Sequence, residues 1–100
     1  MLDTIELSKK LIEFDSVTPA KQDIFDFLIK IFKKQGFDTK QLNFDGDGSY
    51  EVINLMATYG SSQTNGKHFN FLCHVDVVPP GNIEDWDTHP FEPTIKNGYL

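Results

Sequence analysis

Apolar residues early in the chain recur at helical spacing. Leu2, Ile5, Leu7, Leu11, Ile12 and Phe14 gather on one face if the segment is helical. A second stripe, Ile24, Phe25, Phe27, Leu28, Ile31 and Phe32, predicts another amphipathic helix. Thr18 is suited to cap it, and Pro19 suits a first helical position, where its missing N–H does no harm. Gly36 predicts the stop, with Lys33 and Lys34 near the negative end of the helix.

After Gly36 the period changes. Residues 39–44 and 50–59 are rich in β-branched and aromatic side chains, which suits strands. Asp45-Gly46-Asp47-Gly48-Ser49 between them is turn chemistry, and residues 60–67 read as a second loop. Residues 68–75 are nearly continuous in apolar character, the pattern of a strand buried on both faces. The order predicts a layered α/β fold. Residues 91–96 read as a further strand, and Asn97-Gly98 is a two-residue hairpin signal. Only Tyr99 and Leu100 follow that turn, so the expectation is a chain cut short of its next strand.

Composition narrows the partners. Fifteen acidic against nine basic residues give a formal net charge of −6, and no basic cluster is dense enough to neutralise several phosphates. A nucleic-acid partner is not expected. A membrane partner is not expected either, since no apolar run reaches the roughly 20 residues of a spanning helix. Cys73 is the single cysteine, and the N-terminus lacks a signal-peptide pattern, so a soluble cytoplasmic protein is expected.

The candidate chemistry lies in His74-Val75-Asp76-Val77-Val78-Pro79-Pro80-Gly81. Residues two apart at a strand end point to the same side. A neutral imidazole is a good zinc ligand, and its second ring nitrogen usually donates to an orienting carboxylate. Spacing alone does not separate such a site from a surface His and Asp where a strand leaves the core. Other candidates carry blander readings. His68 is an exposed strand-start residue, His89 a loop residue and Cys73 a buried structural thiol. Trp86 and Phe91 are suited to line a substrate approach, with anchoring of a loop onto the core as the blander reading, and Lys9, Lys10, Lys33 and Lys34 read as solvated helix faces. Asp45, Asp47 and Ser49 start like a calcium loop, but Tyr50 stands where its glycine is required.

The block from Phe71 to Gly81, then Trp86, Pro90-Phe91-Glu92-Pro93 and Lys96-Asn97-Gly98-Tyr99-Leu100, resembles the amidohydrolase-type metallopeptidase family. Ser16-Val17-Thr18-Pro19, Gly36-Phe37, Asn54-Leu55 and Gly60 fit the same resemblance. It implies that residues 1–100 are the N-terminal part of a catalytic domain with a di-zinc exopeptidase-like fold, helices packed on a mostly parallel mixed sheet in three layers. It makes His74 a ligand to one of two zinc ions, for which cobalt can substitute, and Asp76 the catalytic-site aspartate that braces His74. Within the family the chain looks most like the branch that releases succinate from N-succinyl-LL-2,6-diaminopimelate, on the path to lysine. A related deacylase, such as an acetylornithine deacetylase, and a non-catalytic truncated product are the alternatives. The resemblance further implies a small-molecule substrate and a homodimer of the full-length protein, with the chain inactive by itself.

Overall fold

The computed structural model describes residues 3–60 and 65–100. Leu2 of the first stripe and residues 61–64 of the second loop lie outside the described residues. Helix α1 spans Thr4–Ile12 and helix α2 spans Gln22–Lys34. Strands β1 (Asp38–Phe44) and β2 (Val52–Thr58) follow, then a short 3-10 turn at Ile83–Asp85.

Asp3 caps α1, its carboxylate accepting from the Glu6 amide at 2.8 Å. The end of α2 follows the glycine signal. Gly36 takes φ +86°, its amide donates to Lys33 and the Phe37 amide donates to Phe32, both at 3.0 Å. This is a Schellman stop, and its usual apolar contact is present as Phe32 against Phe37, ring centres 5.3 Å apart. The start of α2 differs from expectation. The cap position is Lys21, not Thr18, because the Thr18 amide and hydroxyl are both engaged elsewhere.

The two strands pair antiparallel, with Gln41 opposite Leu55 and Thr39 opposite Ala57. Alternation then turns Ile53, Leu55 and Ala57 inward, and α2 packs against both strands. Gln22 on α2 and Gln41 on β1 exchange amide hydrogen bonds of 2.8 and 2.9 Å, tying helix to sheet. Phe14 reaches Phe27 at 5.4 Å and joins the end of α1 to α2. Ile24 and Phe25 are the buried apolar centre among the described residues.

The architecture is therefore α/β, but its sheet is small and antiparallel rather than mostly parallel. Residues 68–75 do not form the predicted buried strand. Phe69, Phe71 and Leu72 are 82%, 86% and 94% exposed. A doubly buried strand needs neighbours at both edges and a layer on each face. Here β1 and β2 pair only with each other, so residues 68–75 find neither. Cys73 is exposed for the same reason, against the expected burial. Residues 91–96 also fail to form a strand. The Phe91 amide donates to His89 Nδ1, the Glu92 amide to the His89 carbonyl and the Thr94 hydroxyl to the Glu92 carbonyl, so their polar groups are used locally. The Asn97-Gly98 turn does form, with positive φ at both residues and reciprocal hydrogen bonds between Lys96 and Tyr99.

The chain exposes 8425 Å², against about 5,800 Å² for a compact monomer of this mass. Its radius of gyration of 16.5 Å likewise exceeds the ~13 Å of a self-contained domain of this length. Large apolar side chains are among what is exposed, Tyr59, Phe69, Phe71 and Leu72 included. Gly36→Ala tests the packed part directly. A Cβ there would meet Tyr59 at an ordinary 3.6 Å, leaving backbone strain as the cost. Urea unfolding should show a loss of about 1 kcal/mol; an unchanged midpoint would count against the Schellman stop.

Candidate functional site

The site is built where two distant segments meet. The Val77 amide donates to the Ser16 carbonyl, and the Thr18 amide donates to the Val77 carbonyl, both at 3.0 Å. These bonds form an isolated parallel bridge between Val17 and Val77. They hold the turn after α1 against the residues that follow His74.

Next to the bridge, His74 and Asp76 do come together. His74 Nδ1 lies 3.1 Å from Asp76 Oδ1 and 3.0 Å from the Asp76 carbonyl oxygen. A carbonyl and an ionised carboxylate can only accept, so Nδ1 carries the proton. In the neutral ring Nε2 is then the nitrogen with the free lone pair, and it has no hydrogen-bond partner among the described residues. The other carboxylate oxygen is also used. Thr18 Oγ1 donates to Asp76 Oδ2 at 2.7 Å, from 58 residues earlier in the chain.

The electrostatics follow from these contacts. The Thr18 hydroxyl foremost holds the Asp76 carboxyl below its ordinary value of 3.8; burial, the next effect in size, opposes it, and His74 adds to the lowering. His74 and Asp76 are 84% and 40% exposed at their side chains, so hydrogen bonds rather than packing set their orientation. Below them an apolar cavity of 550 Å³ opens between the helices and the later loops. Its lining includes Leu11, Phe14, Ile24, His74, Trp86 and Phe91.

The remaining candidates fall outside this cluster. Trp86 Nε1 donates to the Pro80 carbonyl at 2.9 Å and closes the loop that follows the site, an anchoring role. His89 serves its own loop through the Phe91 amide. His68 is exposed. Thr18 is the member that sequence reasoning placed elsewhere, as a helix cap. Among the described residues, no group of three or more His, Cys, Asp or Glu is gathered to hold a metal ion, and no helix is long and apolar enough to cross a membrane.

Comparison with known proteins bears on what this corner serves. The chain is 47% identical over 96 residues to a succinyl-diaminopimelate desuccinylase of Pelagibacter ubique, covering 96% of this chain and 24% of that protein. This chain is similar to part of a succinyl-diaminopimelate desuccinylase. One from Wolbachia pipientis is 43% identical over 99% of the chain and 23% of its own length. Another from Bradyrhizobium is 36% identical over the whole chain and 25% of its own length. The chain thus spans about a quarter of the desuccinylases it matches. No family model matches it, and no solved structure does.

The carboxylate geometry has a measurable consequence. The native value of Asp76 is depressed, so its stabilising contribution is present above the unfolded carboxylate value and is lost as pH falls through the native one. A ¹³C-detected titration of the Asp76 carboxyl should give a midpoint below 3.8; one at or above 3.8 would contradict the contacts described.

Proposed function

We propose that this chain supplies one corner of the zinc site of an amide hydrolase that releases succinate from N-succinyl-LL-2,6-diaminopimelate. The observation that carries the reading is the orientation of His74, with Nδ1–H on Asp76 and the Nε2 lone pair directed away from that carboxylate. That is the arrangement of a histidine prepared for a metal. The succinyl-diaminopimelate substrate is supported by the relatives' names, since a metal-ligand pair cannot distinguish one acyl group from another.

His74 is the ligand of this chain in the proposed site, and Asp76 the residue that keeps its proton on Nδ1. Bound zinc would supply a Lewis acid and an acidified water for amide hydrolysis. A catalytic zinc takes about three protein ligands. The others, and the general base, are assigned to the part of the relatives' length that this chain does not span. The same remainder would cover the exposed apolar segment 68–75 and complete a three-layer, mostly parallel mixed sheet around it. The reading extends to a cytoplasmic homodimer with two zinc ions per subunit, cobalt being the alternative metal.

In a protein that joins this chain to the rest of the relatives' length, His74→Ala should lower bound zinc and turnover together. Zinc content measured by atomic emission and unchanged from wild type would overturn the ligand assignment. Asp76→Asn should cut turnover by about 10- to 100-fold while leaving the circular dichroism spectrum in place.

A further inference from the structure

We infer that Thr18 is a positioning residue that sets the imidazole of His74 through the carboxylate of Asp76. This deepens the proposed function, and only its consequence for zinc rests on that reading.

The Asp76 carboxylate is held at both oxygens. Oδ1 receives His74 Nδ1–H at 3.1 Å, and Oδ2 receives the Thr18 hydroxyl at 2.7 Å. A hydroxyl has one proton to give. Thr18 Oγ1 also lies 3.3 Å from the Val77 carbonyl, but the shorter bond to a charged acceptor takes the proton. The backbone of Thr18 is fixed independently, by its amide bond to the Val77 carbonyl and by the Val77 amide bond to Ser16. The hydroxyl therefore reaches the carboxylate from an anchored position.

The exposure of the pair makes that anchor matter. With His74 84% and Asp76 40% exposed at the side chain, no close packing stops the carboxylate from rotating. Rotation would remove Oδ1 from Nδ1 and leave only the Asp76 carbonyl, at 3.0 Å, to hold the ring proton. The Nε2–H tautomer would then compete, and that tautomer has no lone pair on the nitrogen proposed to face the metal.

Thr18→Val keeps the shape and removes the donor, Thr18→Ala is the smaller control, and Thr18→Ser keeps the hydroxyl. The tautomer of His74 is read in the metal-free, ¹⁵N-labelled full chain by long-range ¹H–¹⁵N correlation at about pH 8, where an unperturbed imidazole is neutral. Wild type and Thr18→Ser should show the Nδ1–H form. Thr18→Val should reduce the ratio of Nδ1–H to Nε2–H by about tenfold. An unchanged ratio in Thr18→Val overturns the inference. So does unfolding of both hydroxyl-free variants while Thr18→Ser stays folded, which would make the hydroxyl a requirement of the fold.

Zinc affinity in the protein that carries the remaining ligands separates the two readings. Thr18→Val should weaken it about tenfold, with recovery in Thr18→Ser. If His74→Ala leaves zinc affinity untouched, the metal assignment fails while the tautomer result stands. If Thr18→Val leaves the tautomer untouched, the positioning role fails whatever zinc does.

Discussion

Two backbone hydrogen bonds, between Ser16 and Val77 and between Thr18 and Val77, decide most of what is organised around His74. Each alone contributes only about 1 kcal/mol net to stability. Their effect is geometric. They join the turn after α1 to a segment that neither strand of the sheet supports, and so bring Thr18, Asp76 and His74 within hydrogen-bonding reach of one another. Without that bridge the carboxylate would face His74 on one side and solvent on the other.

The same arrangement explains why the corner is ordered while its surroundings stay open. Packing in the described residues is concentrated where α2 meets β1 and β2, sealed by the Schellman stop at Gly36. Beyond the bridge, Phe69, Phe71, Leu72 and Val78 stand in solvent, and an apolar cavity lies against His74. Surface of this kind is a cost that burial against further protein would offset. Relatives about four times as long have the material to do so. Order at the site therefore rests on hydrogen bonds, and the apolar layers around it are the part proposed to come from elsewhere.

How legible this was in the sequence depended on whether the deciding partner was local. The helices were readable because periodicity and Gly36 act within a few residues, and the Asn97-Gly98 turn formed for the same reason. His74 and Asp76 do meet, as expected from the sequence, but the strand end that the expectation relied on does not form. Thr18 was misplaced because a hydroxyl suited to capping a helix is equally suited to a carboxylate, and its true acceptor lies 58 residues away. Residues 68–75 and Cys73 failed for another reason. An apolar run reports what a segment can bury, while burial itself requires layers that α2, β1 and β2 do not provide. Residues 91–96 looked like a strand, yet Pro93 cannot donate and its neighbours bond within their own turn.

The central claim is that His74 meets a metal through Nε2 while Nδ1 remains on Asp76. Anomalous diffraction at the zinc edge, from crystals of the zinc-loaded protein that includes this chain and the remaining length of its relatives, tests it most directly. The account predicts an anomalous peak about 2.0–2.1 Å from His74 Nε2, with Thr18 and His74 Nδ1 still on opposite oxygens of Asp76. A zinc peak away from His74, or one bonded to Nδ1 with Asp76 turned aside, would contradict it.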